Sequence, residues 1–220
     1  MIYITGDVHG NLSDLESRGI SKLKKEDVLV ITGDFGFIWD NSKAEAKALK
    51  KLSKKKFTLL FVEGVHENYE LLSKYDECEI FSAKAKKIAD NIYCLNRGEI
   101  YTVCGKKIFA LGGGGVEDIF ENADTDPLKN PSLPTDNELE YAVANLQKNE
   151  KTVDLIITHE APASVKRLIR RDSVINDLNI FLDTLLHNVW YDKWYFGSLH
   201  TDRVVSKQME CVYQQLIKVK

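Results

Sequence analysis

Short runs of apolar, mostly β-branched or aromatic residues recur in the first half of the chain, and each run ends in polar residues. These runs cover residues 2–5, 27–32 and 57–62. Helix-like segments separate them, namely residues 11–20 and the Ala-, Lys- and Leu-rich residues 42–53, for which Ser42 is a suitable N-cap. Continuous apolar runs spaced by helices are typical of buried parallel strands. The pattern therefore predicts an α/β protein with a βαβ-type sheet.

The second half of the chain continues this alternation. Strands are predicted for residues 92–95, 99–103, 107–111, 153–157 and 194–196, and the second and third of these form a hairpin through Cys104-Gly105-Lys106. Helices are predicted for residues 135–149 and for the region that ends near residue 186. Three of the four prolines, Pro127, Pro131 and Pro134, lie in residues 125–136, which we interpret as a long surface loop. We expect residues 1–220 to form one domain.

The composition limits the class of protein. With 220 residues and 44% hydrophobic side chains the chain can bury a sizeable core, and its net charge of −3 leaves no basic excess for binding a long nucleic acid. The four cysteines form no C-x-x-C pair, so we expect buried or half-buried thiols in a reducing compartment. No apolar run approaches the ~20 residues that span a bilayer, and the first residues lack a signal-peptide pattern. We therefore expect a cytoplasmic protein that does not contact a membrane.

Residues that can carry chemistry follow the predicted strands. Each lies directly past a strand end, and the carboxyl edge of a parallel sheet is where such groups gather. These residues are Asp7, His9, Asp34, His66, His159 and His200. Carboxylate oxygens and imidazole nitrogens are ligands that Mn, Fe and Zn accept, and no thiolate is among them. One histidine at a strand end is usually structural, but this ordered series predicts a metal site.

The order of these motifs resembles that of the calcineurin-like metallophosphoesterases. Gly6-Asp7-Val8-His9-Gly10 matches the D-x-H motif of that family, and Gly33-Asp34 matches its G-D motif. The later matches are Gly64-Val65-His66-Glu67, Thr158-His159-Glu160-Ala161-Pro162 and Gly197-Ser198-Leu199-His200. The resemblance spans the whole chain. It implies a four-layer α/β/β/α sandwich, a two-metal centre at the carboxyl edge of the sheets, and hydrolysis of phosphate esters.

The resemblance also implies roles for individual residues. Four would hold the first metal: Asp7, His9, Asp34 and His200. Asp34 would bridge to a second metal, which His159 would also bind, and a water activated between the two metals would attack phosphorus. His66 matches the family histidine that protonates the leaving oxygen. Some relatives orient this histidine with an aspartate three residues after the second-motif Asp, but Phe37 stands at that position.

Two positions depart from the family pattern, and both belong to the second metal. Val65 stands where the family has Asn, and Ser198 stands where it has a histidine. Valine has no donor atom, and a neutral hydroxyl is a poor substitute for imidazole. We therefore expect one tightly bound divalent transition metal and a second that is weak or absent. Mn is the expected ion, with Fe or Zn as the alternatives.

Several weaker signals each have two interpretations. Gly112-Gly113-Gly114-Gly115 suggests a phosphate cradle but lacks the Lys and Ser/Thr of a P-loop, which favours a flexible segment near the site. Arg97 would either bind a substrate phosphate or be a surface arginine. Lys166 opens a basic helical stretch that would either attract anionic substrates or be a solvated face. His187 lies at a predicted helix end, and we assign it no role.

The expected function is metal-dependent hydrolysis of a phosphate mono- or diester, with a small phosphorylated molecule or a nucleotide as substrate. Two alternatives follow from Val65 and Ser198. The chain would be a catalytically impaired relative that binds a phosphorylated ligand or nucleotide, or serves as an interaction module. Otherwise it is a deliberately substituted variant of an active enzyme. The sequence carries no signal for the oligomeric state.

Overall fold

The computed structural model describes residues 1–115 and 131–220. In these residues the first sheet has seven strands in the order β13-β1-β2-β3-β6-β5-β4. Its strands are β1 (Ile2–Thr5), β2 (Val28–Ile31), β3 (Thr58–Phe61), β4 (Glu77–Ile80), β5 (Ala83–Ala89), β6 (Ile92–Leu95) and β13 (Ile217–Lys218). Strands β1, β2, β3 and β6 are parallel, so their carboxyl ends lie at one edge of the sheet.

The second sheet has six strands in the order β11-β12-β10-β9-β8-β7. Its strands are β7 (Glu99–Val103), β8 (Lys106–Leu111), β9 (Thr152–Thr158), β10 (Trp190–Phe196), β11 (Arg203–Val204) and β12 (Met209–Cys211). Strands β8, β9, β10 and β12 are parallel to one another. The antiparallel hairpin of β7 and β8 turns at Cys104-Gly105.

Six α-helices lie in the described residues. They are α1 (Leu12–Ser17), α2 (Lys43–Leu52), α3 (Tyr69–Leu72), α4 (Asp136–Lys148), α5 (Ala163–Ile169) and α6 (Asp177–Asn188). The Ser42 side chain caps α2 as predicted, because its oxygen accepts the Glu45 backbone N–H. None of these helices is long and apolar enough to cross a membrane.

Alternate residues of the central strands face opposite layers. On β2, Val30 packs in the cluster between the two sheets, whereas Ile31 packs outward with Leu15 of α1 and Leu52 of α2. The outer face of the second sheet packs against α4, α5 and α6, with Trp194 among its buried side chains. The order of layers is helix, sheet, sheet, helix. The four-layer α/β/β/α sandwich is therefore confirmed.

Most predicted elements are present, with bounds that differ by one to three residues at many ends. The predicted hairpin through Cys104 is confirmed, but this thiol is exposed and not buried as expected. The strands β4, β5, β11, β12 and β13 were not predicted. Of the predicted proline loop, Pro131 and Pro134 precede α4. Pro127 lies outside the described residues.

Candidate metal centre

The loops after β1 and β2 are hydrogen-bonded to each other at the carboxyl edge of the first sheet. The backbone N–H groups of Val8 and His9 both donate to the carbonyl of Asp34, at 3.0 and 2.9 Å. A Cβ on Gly10 would lie 2.5 Å from the Gly36 carbonyl oxygen, so only glycine allows this approach. The loops therefore place the side chains that they carry at fixed positions.

Four predicted ligands converge at this edge. One donor atom of each lies within 4.8 Å of those of the others, in the set Asp7, His9, Asp34 and His200. His9, Asp34 and His200 have φ of 49°, 46° and 47°, and Ser198 has φ of 25°. Non-glycine residues rarely adopt this left-handed region, and such strain concentrates at functional sites. The first ligand set that the resemblance implies is thus brought together.

The hydrogen bonding of this cluster fits a bound cation. Both carboxylate oxygens of Asp7 are buried and accept no hydrogen bond, although His200 Nε2 lies 3.0 Å from Oδ2. His9 Nε2 and His200 Nε2 are only 3.1 Å apart, which requires a proton or a cation between two lone pairs. Burial lowers the pKa of His9, and the carboxylates of Asp34 and Asp7 offset this only in part. A neutral imidazole is the form that binds a metal.

Asp34 connects the cluster to His66. Its Oδ1 accepts the backbone N–H of His66 at 2.8 Å, and its Oδ2 lies 2.8 Å from His66 Nδ1. Burial would raise the pKa of Asp34, but the charge of His159 and the hydrogen bonds from His66 outweigh it and hold the pKa below its usual range. Phe37, at the position where some relatives have an aspartate, is buried and has no group that could hydrogen-bond to His66. The contact that orients the His66 ring is therefore the one to Asp34.

His159 lies on the other side of Asp34. Its Nδ1 donates to the Thr32 carbonyl at 3.1 Å, because a carbonyl can only accept, and its Nε2 lies 3.6 Å from Asp34 Oδ1. Burial would lower the pKa of His159, but the charges of Asp34 and Asp7 raise it above its usual value. His159 thus adjoins the cluster of four ligands without belonging to it.

The two substituted positions border this second half of the site. Gly114 separates Val65 from His159, since a Cβ on Gly114 would lie 2.6 Å from Val65 Cγ2 and 3.1 Å from His159 Cδ2. The backbone N–H of Gly114 donates to the Ser132 carbonyl at 3.0 Å, so it is not free to cradle a phosphate. The hydroxyl of Ser198 is buried without a hydrogen-bond partner.

Ser198 also lines a cavity of about 240 Å³ that holds a buried ion pair. In it, Lys166 Nζ lies 3.1 Å from Glu160 Oε2, and Asn179 Nδ2 donates to the same oxygen at 2.8 Å. The prediction of a basic face in this helix is wrong for Lys166, because this side chain is buried. A buried ion pair therefore lies in the cavity that Ser198 lines.

Arg97 is buried, so its interpretation as a surface arginine is wrong. Its guanidinium pairs with Glu63 at 2.6 Å and with Glu138 at 3.2 Å, and it donates to the carbonyls of Pro131 and Ser132. These contacts attach the start of α4 to the loop after β3. The guanidinium is held by acceptors of the protein itself.

Sequence reasoning missed the residues that support the cluster. The side chain of Arg18 is only 2% exposed, pairs with Asp14 and donates to the carbonyl oxygens of Gly6, Asp7 and Tyr213. The i,i+4 spacing of Asp14 and Arg18 on α1 is the signal that could have found it. Glu67 is buried and accepts the backbone N–H groups of Phe35 and Gly36 at 2.7 and 3.3 Å, and burial raises its pKa well above the usual value.

A larger cavity opens on the side of the cluster that carries His66. Its volume is about 420 Å³, and both His9 and His66 line it together with Trp39. His66 is 28% exposed here. The cavity is therefore open to solvent directly beside the cluster.

The four-layer sandwich with carboxylates and imidazoles at its carboxyl edge is the arrangement that the resemblance to the metallophosphoesterases implies. The model of the calcineurin-like phosphoesterase family matches residues 1–205, and the chain belongs to this family. Its members hydrolyse phosphate esters with divalent metals. No curated protein matches the chain by sequence.

Solved structures resemble the chain at low sequence identity. A candidate 5′-nucleotidase from Staphylococcus aureus, solved in complex with α-ketoglutarate, gives a TM-score of 0.51 at 14% identity. The match covers 96% of this chain and 48% of that protein, so the chain spans about half its length. The phosphopantetheinyl hydrolase of Mycobacterium tuberculosis gives a TM-score of 0.49 at 13% identity over 97% and 89% of the two chains.

Proposed function

We propose that this protein hydrolyses phosphate mono- or diesters of small molecules or nucleotides with one tightly held divalent metal ion. The ligands of that ion are Asp7, His9, Asp34 and His200. The observation that carries the proposal is the convergence of these four donors within 4.8 Å, with both oxygens of Asp7 buried and without a hydrogen bond. A buried carboxylate is costly unless an opposite charge compensates it, and its nearest side-chain nitrogen, His200 Nε2, lies 3.0 Å from Oδ2.

The proposed reaction needs a Lewis acid and a proton donor. When bound, the divalent ion supplies Lewis acidity, which acidifies water and offsets charge on the phosphoryl oxygens. His66, whose ring Asp34 holds at 2.8 Å, gives its proton to the leaving oxygen. The ring lines the cavity that receives the leaving group. Mn²⁺ suits the mixed oxygen and nitrogen donors, and Fe or Zn are the alternatives.

We further propose that a second metal binds weakly or not at all. On that side Asp34 and His159 supply donors, Val65 supplies none, and the ammonium of Lys166 shares a cavity with Ser198. Two protein donors are fewer than the three that typically hold a catalytic metal. This feature also favours a second candidate function, an impaired relative that binds a phosphorylated ligand without turning it over.

Metal content and turnover test the proposal together. Purified protein is loaded with Mn²⁺, dialysed, and measured for metal per chain and for hydrolysis of 4-nitrophenyl phosphate and bis(4-nitrophenyl) phosphate. We expect one ion per chain and turnover of at least one ester. Changes to the residues around a metal ligand typically lower metal affinity or activity by roughly 10–100-fold. His9→Ala removes a proposed ligand itself, so both metal content and turnover should fall by more than this. His187→Ala, at the exposed end of α6, is the matched control and should leave both readouts unchanged.

A restored variant separates the two candidate functions. Val65→Asn with Ser198→His supplies the two family ligands, and we expect it to bind a second ion and to turn over faster. Two tightly bound ions in the unaltered chain would contradict the single-metal proposal. Absence of turnover in both chains, with tight binding of inorganic phosphate, would favour the impaired relative.

A further inference from the structure

The cavity beside His66 has an aromatic wall. Trp39 lines it, its ring centroid lies 6.1 Å from that of His66, and the side chain is 47% exposed. A tryptophan face this accessible is a stacking surface for a planar group. Since His66 is the proposed proton donor to the leaving oxygen, a ring on the leaving group would enter at this wall.

The backbone of Trp39 is anchored although its ring is exposed. Its N–H donates to Glu45 Oε2 at 2.6 Å, and its carbonyl accepts from Asn68 Nδ2 at 2.7 Å. Glu45 belongs to α2 and Asn68 caps α3, so two helices hold this residue. These bonds fix the backbone of Trp39 beside the cavity, so its ring stays within reach of a ligand there.

The other lining residues indicate the charge of the ligand. The wall formed by α2 presents Ala44 and Ala48, and the carboxylates of Asp40 and Glu45 also line the cavity. Among the described residues, no lysine or arginine lines it. A leaving group with a further phosphate would meet like charge here, whereas an uncharged ring meets apolar and π surfaces.

We propose that Trp39 selects phosphate esters whose leaving group carries an uncharged planar ring, such as an aryl or nucleobase group. This inference rests on the proposed function, because it places the leaving group at His66. It names the substrate class of that site.

The test uses two esters that differ in planarity and not in leaving-group chemistry. Benzyl phosphate and cyclohexylmethyl phosphate are both esters of primary alcohols, and phosphate release gives kcat/KM for each. We expect Trp39→Ala to lower kcat/KM about tenfold or more for the benzyl ester and little for the cyclohexylmethyl ester, from the usual strength of stacking. Trp39→Phe should retain most of the difference. Trp190→Ala, which removes a tryptophan that is 74% exposed at the start of β10, is the control and should alter neither ester.

Binding gives a readout that does not need turnover. In a Trp190→Phe background, Trp194 is buried and Trp39 is the exposed tryptophan, so fluorescence titration follows the ring directly. We expect the benzyl ester to quench more strongly than the cyclohexylmethyl ester. Equal quenching, or equal loss of both activities in Trp39→Ala, would overturn the inference.

A larger effect of Trp39→Ala on phosphocholine than on the benzyl ester would mean that the ring binds a cation, which also overturns the inference. Selective quenching without turnover of any ester would support the stacking surface and contradict the proposed function. The two failures are therefore distinguishable.

Discussion

The ring of Tyr213 stacks on the imidazole of His200, with centroids 5.1 Å apart and planes inclined by 24°. The guanidinium of Arg18 lies over the Tyr213 ring, 6.0 Å from its centroid, and donates to the Tyr213 carbonyl at 2.7 Å. The segment near the end of the chain thus supports a proposed metal ligand through ring contact. His200 itself has φ of 47°, so its orientation depends on such neighbours.

Tyr213→Leu should weaken metal binding without removing a ligand. Loss of the stacked ring frees the His200 imidazole to change rotamer, and changes around a metal ligand typically cost roughly 10–100-fold in affinity. Isothermal titration with Mn²⁺ measures the loss. Tyr213→Phe keeps the ring and should bind within a factor of about three of the unaltered chain. If the two variants lose affinity equally, the ring contact is not what orients His200.

Arg18→Met should destabilise the fold. It removes the donor to three backbone carbonyls, and buried acceptors left without a donor typically cost about 1–3 kcal/mol. Urea unfolding gives the free energy of unfolding. Arg167→Met, an exposed arginine on α5, is the matched control with an expected change within about 0.5 kcal/mol. A small effect of Arg18→Met would mean that water replaces the guanidinium.

The central parallel strands, and the site residues that follow them, could be predicted because buried strands have a strong local sequence pattern. The runs that became β1, β2 and β3 are apolar except for one threonine each in β1 and β3, and the predicted site residues follow each strand directly. The β4–β5 hairpin could not be predicted in this way. It is rich in lysine, and its two-residue turn consists of Phe81 and Ser82, with φ of 53° and 67°, where Gly or Asn is the usual signal.

The parts of the site that sequence could not predict depend on contacts between distant segments. The ligand series is readable because each member follows a strand, but Tyr213 and Lys166 contribute through packing that no local pattern encodes. Trp39 is a similar case, since only the fold brings it beside His66. The expectations of a single domain, of manganese and of the individual ligand roles stay predictions.

Stability should depend on pH through Glu138. Burial would raise its pKa, but the charge of Arg97 and hydrogen bonds from Thr135 lower it below the usual value. A lowered folded-state pKa contributes stability that is fully present above the unfolded pKa of about 4.3 and is lost as pH falls through the folded pKa. We therefore expect the excess stability of the unaltered chain over Glu138→Gln to shrink as pH falls below about 5. Glu140→Gln, an exposed substitution on α4, is the matched control in the same urea series.

Gly114→Ala should lower the free energy of unfolding, and a second substitution, Val65→Ala, should reduce that loss. A methyl on Gly114 would lie 2.6 Å from Val65 Cγ2, which is too close without movement, and overpacking of this kind typically costs about 1–3 kcal/mol. In a Val65→Ala background that contact is absent, and the approach to His159 Cδ2 at 3.1 Å needs only a small shift. The two single variants and the double variant form a cycle in urea unfolding, with an expected coupling of at least about 0.5 kcal/mol in the relieving direction. If the changes in unfolding free energy of the two single variants simply add in the double variant, the loop after β8 moves away from Val65 instead. Mn²⁺ titration of the same variants would then report whether His159 moves with that loop.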